Sequence, residues 1–311
     1  MIKKPFYERI KPLLYLLPFI VSVSVFTLYP IVNVIRMSFL EGYKYLSGAY
    51  TGVGLGNYEK VLSDPFFRQA ISNTFRYVLL VVPISTVIAI VLATLLNQKI
   101  KFQSFFQTAY FLPMVTSSLA VGLAWRFMFN DKVGVLNYVL SLFGAKGVDW
   151  LTSIPGNFFA VVVFGIWAIL PNTIILLLSG LQNIDPLYYT AAKVDGAKTL
   201  RIFFRITVPL LAPTIMLVII INTISTFKMY HERFPLFSGP GIAYNLFTVV
   251  YYIYYEFRVM SPPKYGYAAA AAVMLLVTVF IFTMLQRAVQ AWSRQERGED
   301  AKPKRHRDAL R

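Results

Sequence analysis

The sequence predicts an all-α membrane protein that crosses the bilayer six times. Three observations carry this. Charged residues make up only 14% of the 311, against about 25% in soluble domains, and the mean hydropathy is +0.59. Six apolar runs reach the roughly 20 residues that a helix needs to span the hydrocarbon core. The formal net charge of +16 comes from basic residues in short blocks beside those runs, the pattern that orients membrane proteins rather than one that binds nucleic acid.

The runs fall near 13–35, 74–96, 106–128, 158–180, 207–228 and 267–288. The first, "PLLYLLPFIVSVSVFTLYPIV", follows "MIKKPFYERIK", which has the character of a signal-peptide n-region. The run is too long for a signal peptide and no small-residue cleavage site follows, so it is expected to remain as a span. With the N-terminus inside, segments 1–12, 97–104, 181–206 and 287–311 hold 18 of the 30 Lys and Arg residues. That bias places both termini in the cytoplasm. The expected organisation is a cytoplasmic segment 1–12, a transmembrane domain 13–290, and a basic tail 291–311 at the inner leaflet. The sixth run begins "YGYAAAAAVMLL", and its alanines allow close helix packing, either within the subunit or against another.

Between the fourth and fifth runs, "DPLYYTAAKVDGAKTLRIFFRITVP" interrupts the apolar chain. Asp185 is a good N-cap and Pro186 a good first helical residue. Leu187, Ala191 and Val194 then share one face of a short helix. Asp195–Gly196 is a stop, since glycine takes the left-handed conformation that ends helices. A second helix leads towards Pro209. The segment is expected to lie along the inner membrane surface.

Other chemistry is sparse. With no cysteine, disulfides and Cys-ligated metals are excluded. Gly196-Ala-Lys198-Thr199 lacks P-loop spacing, so the chain is not expected to hydrolyse ATP. His231, followed by Glu232 and Arg233, reads as a polar membrane-edge cluster, and His306 sits in the tail; no metal or cofactor site and no catalytic residue is expected. The spans are nearly free of charge, with Arg76, Arg126 and Lys228 at or near their ends, which argues against proton relays. Polar groups at lipid depth must face protein or water, so Ser117, Ser118, Trp167, Asn172, Asn222, Ser225 and Lys228 are candidates to line a pathway. Secondary transporter or channel subunit, and membrane-embedded enzyme, stand as alternatives to the reading that follows.

Thr190-Ala191-Ala192, three residues, Gly196, nine residues, then Ile206-Thr-Val-Pro209 resembles the E-A-A-x3-G-x9-I-x-L-P motif of the permease subunits of ABC importers. "LGNYEKVLSDPFFRQAISNTFRYVLL", "FLPMVTSSLAVGLAWRFMFNDKVGVLNYVL", "VDWLTSIP", "GLQNIDPLYYTAAKVDGA" and "FPLFSGPG" look like the maltose-type sugar permeases. The resemblance covers roughly 10–290 and implies a type I ABC importer permease fold that moves a sugar by alternating access. It implies that 185–206 is the coupling segment, with Tyr189, Thr190, Ala191, Ala192, Asp195 and Gly196 meeting a cytoplasmic ATPase dimer. It implies as further partners a second homologous permease subunit and an extracytoplasmic sugar-binding protein, the latter near 234–241. It supports Met114, Ser118, Asn172, Ser225 and Lys228 as substrate-lining. Two positions depart from the motif: Thr190 replaces its Glu, removing a carboxylate, and Val208 replaces its Leu. Lys228 has three readings: a snorkelling cation, a partner for Glu232 if the helix continues, or a substrate contact.

Overall fold

The computed structural model describes residues 6–98, 101–230, 236–237, 239 and 241–296. Among them, five helical stretches are long and apolar enough to cross a membrane: Leu14–Phe39, Pro65–Leu96, Ile154–Gln182, Thr199–Phe227 and Tyr265–Trp292. The third expected span, 106–128, is not one helix. It divides into α5 (Gln103–Val115) and α6 (Ser118–Met128), with Thr116 and Ser117 extended between them (ψ 143° and 128°). Apolar composition alone conceals such a break.

The chain separates into two compact units, residues 1–70 with 249–277 and residues 71–248 with 278–311. The first unit holds α1 (Phe6–Val23), a π turn (Ser24–Leu28) and α2 (Tyr29–Phe39), which together form the first span. The π turn sits where Pro30 cannot donate to the carbonyl four residues back. Two short strands follow, β1 (Leu40–Glu41) and β2 (Gly52–Val53), antiparallel with Leu40 opposite Val53. In α3 (Gly56–Ser63), Asn57 donates to the carbonyls of Ser38 and Leu40, both at 3.0 Å, and so fastens α3 to the end of α2. Asp64 caps α4 (Pro65–Leu96) by accepting from the Phe66 amide at 2.9 Å, and its other oxygen accepts from Tyr252 Oη at 2.8 Å. Tyr252 lies in α12 (Val249–Tyr254); a π turn (Tyr255–Val259) then leads to α13 (Tyr265–Glu296). Ala268 to Ala271 are all buried within the chain, so their close packing is internal to it.

The second unit is built on α4, α8 (Ile154–Gln182) and α11 (Val208–Phe227). Ser153 caps α8 by accepting from Gly156, and Pro155 occupies its first turn. Ala89, Ala93 and Leu96 of α4 meet Ile174, Leu177 and Leu181 of α8 and Leu211 and Val218 of α11 in a buried cluster. The small residues let the helices approach closely, which is how packing holds helices together where lipid is as apolar as their side chains. Gly165 serves the same end: a Cβ there would collide with the Tyr77 hydroxyl. Short helix α7 (Val135–Leu142) follows α6, and α9 (Pro186–Val194) and α10 (Thr199–Ile202) follow α8. The fifth span starts at Thr199 rather than near 207, because α10, a π turn (Phe203–Thr207) and α11 run on as one helix. The π turn again precedes a proline, Pro209, whose missing N–H leaves the Arg205 carbonyl without its usual donor.

Candidate functional site

Local rules fix α9 at both ends. Asp185 Oδ1 accepts from the Leu187 amide at 2.8 Å, satisfying a donor that the first turn leaves orphaned. At the other end Gly196 has φ +70°. Its amide donates to the Lys193 carbonyl at 3.1 Å and that of Ala197 to Ala192 at 2.9 Å, the paired bonds of a Schellman stop. Among the described residues nothing lies within 4 Å of where a Gly196 Cβ would be, so the backbone conformation, not space, demands glycine.

The helix has two distinct faces. Leu187, Tyr188 and Val194 are 69%, 55% and 82% exposed, and Ala191 is exposed with them. Ala192 is buried and Tyr189 half-buried on the other side. Thr190 is exposed, and its hydroxyl donates to its own helix at Pro186 O, 3.1 Å away. It therefore offers a partner lone pairs but no charge. Asp195 is exposed at the C-cap.

The eight residues expected to line a pathway divide. Met114 is 52% exposed, and Asn172, Ser225 and Lys228 are exposed. Ser117 precedes α6 and is exposed; Ser118 is the first residue of α6. Trp167 and Asn222 make contacts within the unit. Trp167 stacks in an aromatic cluster, 5.4 Å from Trp125 and 6.1 Å from Phe164 between ring centres. Asn222 is 3% exposed and donates to Thr173 Oγ1 at 2.9 Å. That bond joins α11 to α8, since a buried amide is costly unless paired. Asn172 and Ser225 flank it, one residue along α8 and one turn along α11.

Lys228 caps α11, which ends at Phe227. The pairing with Glu232 required that helix to continue, and it does not; Glu232, with His231, Arg233 and part of the 234–241 loop, lies outside the described residues, as does His306. Lys228 instead stands at the C-cap, the negative end of the helix dipole. Ser225 is one turn earlier, so the two share an exposed face.

Sequence reasoning missed a set of polar ties at the other end of the unit. Asn73 of α4 donates to the carbonyls of Asn245 and Phe247 at 2.8 and 3.0 Å, holding the 241–248 segment against the span. A cavity of about 270 Å³, lined by Arg126, Asn130, Asp131 and Thr152 among others, opens near α6. Asparagines inside apolar stretches were the available signal, but their partners lie far along the chain.

The break between α5 and α6 frees peptide groups. Thr116 Oγ1 donates to Leu112 O at 2.8 Å, covering one carbonyl of the last turn of α5. No side chain caps α6 at Ser117, so the first amides of that helix have no intrahelical partner. Such backbone is tolerated at membrane depth only inside protein or beside water.

The family described as "Binding-protein-dependent transport system inner membrane component" matches residues 64–295. The chain is similar to the arabinooligosaccharides transport system permease protein AraP of Halalkalibacterium halodurans, 35% identical over 281 residues, which cover 90% of this chain and 87% of that one. It is similar to the lactose transport system permease protein LacF of Rhizobium radiobacter, 33% identical over 285 residues, covering 90% and 94%. Among solved structures, a chain of a bacterial alginate ABC transporter, in complex with alginate pentasaccharide-bound periplasmic protein, superposes with a TM-score of 0.77 at 25% identity, covering 90% and 95%.

Proposed function

Because the chain belongs to the family of binding-protein-dependent transport system inner membrane components, we propose that it is the translocation subunit of an ATP-driven importer of a sugar or oligosaccharide, with both termini in the cytoplasm. The observation that carries the mechanism is α9. Its exposed Leu187, Tyr188, Ala191 and Val194 form an apolar face on a helix fixed by the Asp185 cap and the Gly196 stop. An exposed apolar patch on a rigid element calls for a protein partner, and a separate cytoplasmic ATPase dimer supplies it. Closure of that dimer on ATP pulls α9, and the continuous helix beginning at Thr199 passes the motion into the fifth span. Thr190 in place of a carboxylate leaves this contact to packing and neutral hydrogen bonds.

The names of AraP and LacF and the alginate complex support a carbohydrate as cargo. Met114, Ser118, Asn172, Ser225 and Lys228 are the proposed lining, with Trp167 and Asn222 holding its walls. Hydroxyls and amides bond sugar OH groups; the Lys228 cation bonds hydroxyls or selects an acidic sugar. A second homologous permease subunit completes the path, and an extracytoplasmic sugar-binding protein delivers to it.

The test is reconstitution with the ATPase, permease and binding protein encoded beside it. Expected is binding-protein-dependent uptake of labelled sugar driven by ATP, lost with Val194→Asp, which also releases the ATPase on purification. Uptake driven by an ion gradient without the ATPase would overturn the proposal. Orientation is read by single cysteines. An impermeant thiol reagent added outside should label Leu46→Cys (99% exposed) or Ala145→Cys and spare Val194→Cys.

A further inference from the structure

Behind α9 lies a cavity of about 800 Å³, within the range of about 300–1,000 Å³ typical of pockets that hold small molecules. Leu95 at the end of α4 and Phe203 and Phe204 in the π turn give it an apolar floor; Gln98, Tyr189 and Lys193 give it a polar rim. Among the described residues, the side chains of Gln98, Tyr189 and Lys193 have no hydrogen-bond or ion-pair partner. Among the described residues, no acidic one lines it. It sits where α4 and α8 end, at Leu96 and Gln182, and where the fifth span starts, at Thr199, and so at the depth where lipid headgroups meet the hydrocarbon. Lys198, Arg201 and Arg205 stand exposed on the adjoining segment.

We propose that this cavity binds an anionic phospholipid, its acyl chain against Leu95, Phe203 and Phe204 and its phosphate at Lys193. The charge of the rim selects an anionic headgroup over a zwitterionic one, as basic side chains at a bilayer surface do. The ATPase is not the occupant, because Leu187, Ala191 and Val194 face the opposite side of α9 from Tyr189 and Lys193 at 100° per residue. One face of the helix is then held by protein and the other by lipid. A bound lipid would set the resting tilt of α9 and make coupling depend on the anionic lipid content of the membrane.

The test uses the purified full chain in nanodiscs of mixed phosphatidylglycerol and phosphatidylcholine, released for native mass spectrometry. Expected is preferential retention of phosphatidylglycerol. Lys193→Gln should lower that retention about five-fold, the effect of one basic side chain at an anionic surface, and Lys193→Arg should keep it. Leu95→Trp, which fills the floor and leaves the charge, should also lower it. Free glycerol phosphate should neither bind nor displace the lipid. Equal retention of the two lipids, unchanged retention in both Lys193→Gln and Leu95→Trp, or displacement by glycerol phosphate overturns the proposal. The symmetric bilayer makes this outcome independent of orientation and cargo.

Discussion

Asn157 and Asn245, 88 residues apart, exchange their amides: Asn245 Nδ2 donates to Asn157 Oδ1 at 2.6 Å, and Asn157 Nδ2 donates to Asn245 Oδ1 at 3.0 Å. Asn157 is fully buried in the first turn of α8. With Asn73 bonded to the Asn245 and Phe247 carbonyls, three asparagines clamp the segment before α12 onto the spans.

This reciprocity predicts coupled energetics. Asn157→Leu removes both bonds between the two side chains, leaving the Asn245 amide only the 3.4 Å bond of its Nδ2 to Ile154 O, and should cost about 1–3 kcal/mol. Adding Asn245→Leu should cost much less than it does alone, with a coupling of about 0.5–3 kcal/mol in a double-mutant cycle. Denaturation of the purified subunit in mixed micelles measures it; strict additivity would show that the pair does not act as a unit.

Gly196 predicts a separation of folding from transport. At φ +70° a β-branched residue costs about 1–3 kcal/mol of backbone strain, paid locally because nothing crowds the site. Gly196→Val should insert and purify normally but lose ATPase association and uptake. Gly196→Asn, which tolerates the left-handed region, should retain most of both. Full uptake by Gly196→Val would mean that the stop is dispensable.

A pH prediction concerns Glu256, which is 3% exposed in the turn before α13. Burial pushes its carboxyl above the ordinary 4.5; Lys264, 3.7 Å away, opposes this, and Asp64 adds to it. Tyr252, a further titratable group of the cluster, is itself pushed upward by burial and by its bond to Asp64. The folded protein thus binds a proton at Glu256 more tightly than the unfolded chain does. That contribution is fully present below the ordinary carboxylate range and is lost as pH rises through the raised value. Glu256→Gln should flatten this fall and raise the melting temperature at neutral pH. An unchanged pH profile in Glu256→Gln would assign the dependence elsewhere.

Lys228 and Ser225 predict a cargo effect. Lys228→Met keeps the stem and removes the charge. Uptake should drop while assembly with the ATPase and sister subunit persists, and the drop should be larger for a uronate than for a neutral sugar if charge is read. Ser225→Ala, on the same face, should lower uptake of both classes. Wild-type uptake by Lys228→Met across these sugars would leave Lys228 as a helix cap alone.

What the sequence disclosed was what local chemistry decides. Asp185, Pro186 and Gly196 sit within a dozen residues of each other, and cap and stop depend on near neighbours only, so α9 was readable to the residue. The run 106–128 was not, because hydropathy is blind to ψ at Thr116 and Ser117; Pro113 and the Thr-Ser-Ser triplet were the only hints. The bond from Asn222 to Thr173 was likewise hidden, since a lone amide in an apolar helix has the same letter whatever it faces. The Asn73, Asn157 and Asn245 ties were out of reach for the same reason: pairing across 88 or more positions is set by packing.

Peptide groups freed at Thr116–Ser117 would be present in any sequence that kept this break. A hydroxyl-rich guest that bonded to them would be held by chemistry that no change of side chain short of proline deletes. Substitutions in the neighbouring side chains then shift preference among guests without closing the door to all of them. A scaffold with such an interruption can drift from one carbohydrate to another through a series of intermediates that all still work.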